Sequence, residues 1–359
     1  MNIASKCKYK NSLRQRLKYG IINELIIKIN EEKLRFIGEG FFIMDARRAQ
    51  DLMRHIFQDE DNGMAMMTKL PLTDSIQMMT KILPECMKMA EEKESVNDIG
   101  FFGDLTKKYE GIVVDKIKNA EHLWVVYCDT TGYPYMVDKD MLVLYDYTNH
   151  AIVEERLAKA GYKVSIGVET PESFKNEIAH MYRNGYKNIR FIDGKSDAFV
   201  VSRESFYSYD EFFNDEYMTN PALEQTMIEF FQETRKEGSL EAKREMLKDA
   251  EAAMTEALKN AEYMVPCTKE EKEDMVEISH PFIDVTERVK HEDGQQLIAI
   301  PAFTDGFEMD KCYEGHHENM LYTLKDMAEL VEELGAAGVI LNALGISYFM
   351  PAQLLKSLS

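Results

Sequence analysis

The apolar positions fall into short runs that alternate between a helical and an extended period. Leu13, Leu17, Ile21, Leu25 and Ile29 recur at steps of four and predict an amphipathic helix over 11–29. Leu34–Met44 reads as extended, interrupted by Gly38 and Gly40, and Ala46–Phe57 as a further helix with Leu52, Met53 and Ile56 on one side. Asp59-Glu60-Asp61-Asn62-Gly63 is expected to close it as a turn. Leu72–Lys93 is helical from a cap near Thr73 or Asp74, and Pro84 should kink or split it. Its methionines (Met78, Met79, Met87, Met89) read as adaptable core filling rather than a peptide groove.

From residue 118 the pattern changes to strands and helices in alternation. His122–Cys128 and Met141–Tyr147 are strand-like, with a turn at Thr131-Gly132-Tyr133-Pro134. A helix over Ile152–Ala160 ends at Gly161, and Lys163–Val168 is another strand. Thr170-Pro171 opens a helix that ends at Gly185, followed by strands at Ile189–Ile192 and Ala198–Val201. Asn220-Pro221 starts a second series. It holds helices over Ala222–Lys236 and Leu240–Ala261, strands at Tyr263–Cys267, Val276–Ile278 and Leu297–Phe303, a helix over Tyr322–Leu334, and closing strands at Val339–Leu341 and Tyr348-Phe349.

The two series resemble each other. Lys118-Asn119-Ala120-Glu121 recurs as Lys259-Asn260-Ala261-Glu262, and Tyr147-Thr148-Asn149 has a counterpart in Phe303-Thr304-Asp305. At an offset of 150, Phe174, Gly185, Ile189, Phe191 and Phe199 fall on Leu324, Gly335, Val339, Leu341 and Phe349. The expectation is an α/β protein with mixed α+β sheets, in which one module is used twice behind a helical N-terminal region.

Composition narrows the functional classes. The net charge of −20 argues against nucleic acid as a partner, since a phosphate backbone would be repelled. Residues 1–50 carry 11 Lys+Arg and 5 Asp+Glu, a balance of +6, so the rest carries −26. Six bases (Lys6, Lys8, Lys10, Arg14, Arg16, Lys18) precede the first acid, Glu24. The plain reading is a solvated segment that balances the acidic body; the functional one is an arm for an acidic partner or lipid surface. No run reaches the length of a spanning helix, and no export signal is visible, so the expected location is the cytoplasm with no membrane insertion. Five scattered cysteines without a CxxC pair fit a reducing compartment.

Several stretches together carry a family resemblance. Asn220-Pro221-Ala222-Leu223, Ala257-Leu258-Lys259-Asn260-Ala261 and Tyr263-Met264-Val265-Pro266 resemble the opening of the SseB-type (enhanced serine sensitivity) N-terminal domain. Ile298-Ala299-Ile300-Pro301-Ala302-Phe303-Thr304-Asp305 resembles its central strand, and Val339-Ile340-Leu341-Asn342 with Gly345 its closing strand and turn. The resemblance covers 219–357. It implies a bacterial, soluble, cytoplasmic α/β domain and brings no catalytic residues. The organisation expected is a helical or mixed region over 1–72, a diverged SseB-like module over 73–210 and an SseB-like domain over 219–359. The first module lacks the signature, with Tyr145 in the place of Pro301 and Ile192 in that of Asn342.

Candidate chemistry is sparse. Cys312, Glu314, His316, His317 and Glu318 are the densest set of metal-ligating types, but adjacent histidines point apart and paired spacings are missing, so no metal is expected. Asp193-Gly194-Lys195-Ser196 lacks the upstream glycine of a phosphate loop and reads as a turn. There is no nucleophile elbow and no dinucleotide fingerprint. Phe303, Thr304, Asp305 and Asn342 are the candidate ligand- or partner-binding residues, placed where strand ends meet loops; Thr304-Asp305-Gly306 also suits simple turn chemistry. The function expected is a non-catalytic module that binds an unknown protein partner, without cofactors. The alternative is a small-ligand binder or enzyme using Thr304, Asp305 and Asn342.

Overall fold

A computed structural model describes Leu52, His55, Ile56 and residues 60–359, apart from 196–197, 215–216, 273–274, 290–295 and 314–317. The elements expected over 11–29 and 34–44, and most of 46–57, lie outside the described residues. Among the described residues the first elements are helices. Glu60–Thr68 (α1) is helical, so the turn expected at 59–63 is corrected. A Cβ on Gly63 would lie 2.4 Å from the Ile56 Cα, so the glycine permits a close backbone approach inside the helix.

Leu72–Gln77 (α2), a π-turn at Met78–Ile82 and Leu83–Glu92 (α3) form one continuous run, with Pro71 at the cap instead of Thr73 or Asp74. The widened turn immediately before Pro84 absorbs the missing N–H and the ring, so the proline neither breaks nor splits the run. Val96–Lys118 (α4) is a 23-residue helix that the apolar pattern did not suggest. Its buried stripe of Phe102, Leu105, Tyr109, Val113 and Ile117 has helical spacing, but Gly100, Gly103 and Gly111 obscure it.

The first sheet follows. Its strands are Leu123–Cys128 (β1), Tyr133–Pro134 (β2), Met136–Val137 (β3), Asp140–Leu144 (β4), Val164–Glu169 (β5), Asn188–Ile192 (β6) and Phe199–Ser202 (β7). His150–Lys159 (α5) and Pro171–Asn184 (α6) lie between them. The pairings run β5–β1–β4–β6–β7, with β3 also on β4; only β4–β6 is parallel.

Pro221–Arg235 (α7) and Leu240–Asn260 (α8) lead into the second series. Its elements are Glu262–Pro266 (β8), Thr268–Lys272 (β9), Met275–Ser279 (β10), Ile283–Asp284 (β11), Thr286–Val289 (α9), Ile298–Ala302 (β12), Gly306–Asp310 (α10), Asn319–Thr323 (β13), Leu324–Leu334 (α11), Gly338–Leu341 (β14), Tyr348–Pro351 (β15) and Ala352–Leu358 (α12). Strand β13 corrects the expectation that the helix begins at Tyr322. The capping box of Thr323 and Asp326 fixes the helix start at Leu324, two residues later.

Here β13 pairs β8, β12 pairs β14 in parallel, and β14 pairs β15, with β11 on β12. A single antiparallel bridge, Met264 to Phe303, joins β8 to the end of β12. The order β13–β8–β12–β14–β15 therefore repeats the succession and orientation of the first sheet. In both halves a capping-box threonine opens the helix after the edge strand, and a left-handed glycine ends it: Thr170 and Gly185 (φ 75°), Thr323 and Gly335 (φ 62°).

One apolar core runs through both halves, from Leu52 and Phe102 through Phe174, Phe191 and Met227 to Tyr263, Val339 and Leu355. Helix α7 ties the halves together. Gln232 accepts from the Met136 N–H and donates to its carbonyl, both at 2.9 Å, in effect extending β3 with a side chain. Arg235 donates to the carbonyls of Thr130 (2.8 Å) and Ile346 (2.6 Å). The helix start is pressed so closely on the end of α6 that a Cβ on Gly185 would lie 2.2 Å from the Pro221 carbonyl oxygen.

Candidate functional site

Thr304, Asp305 and Asn342 converge at the C-terminal ends of the parallel strands β12 and β14, and all three are wholly buried, as is Phe303. Parallel strands leave such a corner because both chains exit on the same edge. Asn342 takes a left-handed conformation (φ 51°), which asparagine tolerates better than most residues, and this turns its amide back over the corner. Its Oδ1 accepts from the Thr304 N–H at 3.0 Å, and its Nδ2 donates to Thr304 Oγ1 at 2.9 Å.

Glu224, from the first turn of α7, completes this corner. Its Oε1 accepts from both Thr304 Oγ1 and Asn342 Nδ2. Burial, followed by the neighbouring Glu308 and Asp305 carboxylates, pushes the Glu224 carboxyl up to about 8, against the opposing pull of the Thr304 hydrogen bond. Asn220, the residue before α7, does not cap the helix with its side chain. Its amide donates instead to the carbonyls of Glu262 (2.8 Å) and Thr304 (2.7 Å), so the residue expected as a cap holds β8 and the β12 corner to α7.

Asp305 faces the other way. Its Oδ1 accepts from the Glu308 N–H at 2.9 Å and caps the short helix α10. Arg183, near the end of α6, donates Nε to Asp305 Oδ2 at 2.9 Å and Nη2 to Oδ1 at 3.1 Å, with a longer contact from Nη2 to Glu308 Oε1 at 3.4 Å. Lys311 Nζ (2.6 Å) and the Tyr133 hydroxyl (3.1 Å) also donate to Glu308 Oε1. Phe307 lies 4.0 Å from the guanidinium carbon and covers it.

The acids outweigh the bases in this cluster. Burial raises the Asp305 carboxyl, with Arg183 pulling against it, and burial raises the Tyr133 hydroxyl well above its ordinary range, helped by Glu224 and Glu308. Burial works against the Arg183 charge, but Asp305 and Glu308 outweigh it and hold the proton more firmly than usual. Gly345, the glycine of the closing strand and turn, is required here: a Cβ would lie 2.4 Å from Glu308 Oε2 and 2.7 Å from the Tyr133 hydroxyl.

The four sequence candidates are thus brought together, with Phe303 behind them in edge contact with Tyr313 at 5.9 Å. Arg183, Glu224, Glu308 and Tyr133 were missed. Glu224 left one signal: it shares the apolar stripe of Leu223, Met227 and Ile228 on α7, where a lone acid is out of place. Thr148, aligned with Thr304 in sequence, takes a different role. It is exposed and donates to Asp146 in a local turn. Glu314, His316 and His317 lie outside the described residues, and the described ones contain no group of three metal-ligating side chains. The Asp193–Lys195 segment is a turn, with the Lys195 N–H donating to Asp193 Oδ1 at 2.8 Å. Among the described residues, no helix is long and apolar enough to cross a membrane.

Residues 237–357 match the family model of the SseB protein N-terminal domain. This is the region that carries Phe303, Thr304, Asp305, Asn342 and Gly345; Arg183 and Glu224 fall outside it. Comparison with the curated proteins and with the solved structures returns no significant match.

Proposed function

We propose that the chain is a non-catalytic, cytoplasmic protein-interaction module of the SseB type, built from two related α/β modules over 73–210 and 219–359. One observation carries this reading. Thr304, Asp305 and Asn342, the polar residues of the signature, turn inward and bond to Glu224 and Arg183 with none of their surface exposed. Chemistry spent in this way holds two halves in a fixed relation and presents their combined outer surface to a partner. An open groove of about 550 Å³ between the start of α7 and the end of α8, lined by Pro221, Leu223, Ala253 and Ala257, is one feature of that surface.

The test is capture on the full-length chain from lysate of the source cells, followed by titration of the purified captured protein by calorimetry. Saturable binding at physiological salt supports the reading. Recovery of the chain alone at every salt concentration overturns it.

The alternative, a small-ligand site, draws on a separate observation. Glu224 Oε2 and Glu308 Oε2 are buried without a hydrogen-bond partner beside the same corner. A thermal-shift screen of small polar metabolites against wild type and Asn342→Ala separates the two: stabilisation in wild type alone favours the ligand site.

A further inference from the structure

The first half carries an exposed aromatic platform that the signature corner does not use. Trp124 on β1 lies 5.4 Å from Tyr147 at 31° between planes, and Tyr147 stacks on His150 at 3.9 Å and 4°. The backbone holds this stack in place, because His150 Nδ1 is bonded to the Tyr147 carbonyl at 2.9 Å and Asp146 pins the turn through Thr148. Tyr147 keeps 40 % of its surface exposed, and Val168, directly opposite Trp124 on edge strand β5, keeps 58 %. Exposed aromatic faces attract cations, and their attraction grows where acids surround them. Acids flank the platform: Glu121 lies just before β1, Asp146 just before Tyr147 and Glu154 one turn after His150, and no Lys or Arg falls between Lys139 and Arg156.

The complementary charge lies in the same molecule. Residues 1–18 hold six Lys and Arg and no acid, within a protein whose remainder is strongly negative. The 33 residues between position 18 and Leu52 span roughly 50 Å as helix and about 110 Å if extended, enough to reach any face of a fold this size. We propose that the basic segment 1–18 docks in cis on the Trp124–Tyr147–His150 platform, with its Lys and Arg side chains over the rings and its charges toward Glu121, Asp146 and Glu154. Occupation of the platform then depends on salt and on competition from other cationic chains.

Trp124 is the only tryptophan, so its fluorescence reports on this site alone. The experiment compares the full chain with a full-chain variant in which Lys6, Lys8, Lys10, Arg14, Arg16 and Lys18 are changed to Gln. Acrylamide quenching of Trp124 is expected to rise roughly two-fold in the variant, as the shielding cations leave. Tyr147→Ala in either background is expected to abolish that difference. Carbodiimide treatment of the wild type should join a lysine of 1–18 to Glu121, Asp146 or Glu154 within one chain, read by mass spectrometry. Equal quenching in the two chains overturns the proposal. So do cross-links confined to pairs of chains, or capture of the segment by anionic vesicles with no change at Trp124.

Discussion

Arg183 grips Asp305 through two bonds of 2.9 and 3.1 Å, although the two residues are 122 positions apart and both are buried. The fork fixes the end of α6 to the corner after β12, and so one half of the chain to the other. Arg183→Ala strands the Asp305 carboxylate and is expected to cost about 3–5 kcal/mol. Arg183→Lys keeps the charge but loses the planar fork, so an intermediate loss is expected. The double change Arg183→Met, Asp305→Leu should recover only part of the stability, because it removes the stranded charge but also the Asp305 cap on α10 and the Arg183 contact to buried Glu308. Urea unfolding followed by circular dichroism measures all three.

Glu224 sets a pH dependence. Its folded carboxyl titrates near 8, whereas a solvated glutamate titrates near 4.5. Between these values the folded state holds a proton that the unfolded state has released. Stability from this group is therefore fully present below about 4.5, declines as pH rises, and is lost once pH passes about 8. The slope has an upper limit of about 1.4 kcal/mol per pH unit. Glu224→Gln keeps an acceptor for Thr304 and Asn342 but has no proton to lose. The expected outcome is a stability difference between mutant and wild type that shifts in the mutant's favour from pH 5 to pH 8.5, seen by denaturation at each pH.

Two glycines with the same backbone separate strain from crowding. Gly335 has φ 62° and open space where a Cβ would be, so Gly335→Ala should cost only the left-handed strain, about 1–2 kcal/mol. Gly185 has φ 75° and the Pro221 carbonyl at 2.2 Å from the same position. Gly185→Ala is expected to cost at least about 1 kcal/mol more, because backbone from α7 must move. Thermal melts of the two variants side by side decide this.

Thr304→Val tests the corner itself. It is close to isosteric but removes the hydroxyl that donates to Glu224 and accepts from Asn342. A loss of about 1–3 kcal/mol is expected, the cost of leaving buried groups short of a partner. Thr148→Val, at the aligned but exposed position, should change stability by less than about 0.5 kcal/mol. Calorimetric melts compare them.

Much of this was legible from periodicity and caps. Thr170, Pro171, Gly185 and Gly335 bound their helices as the sequence pattern predicts, and most strands of both sheets follow from alternating apolar runs. Helix α4 was lost because three glycines dilute its stripe, and β13 because Tyr322-Thr323 continues smoothly into a helical pattern. The gathering of Thr304, Asp305 and Asn342 could be anticipated from strand ends. Their pairing with Arg183 and Glu224 could not, because both reach the corner through the packing of α6 on α7; the lone acid on the α7 stripe marks Glu224 as unusual but not where it goes. The same limit applies to Gly345, whose reason is a carboxylate 37 residues earlier.

The family match opens at residue 237, after α7 has already delivered Glu224, Gln232 and Arg235 to their places. A fragment cut at that point would keep Asp305 without its guanidinium and Asn342 without its carboxyl partner, both in a core missing Met227 and Ile228. The stretch that sequence similarity outlines is therefore shorter than the stretch whose contacts complete the corner. Heredity is recorded in one, and cooperativity extends through the other.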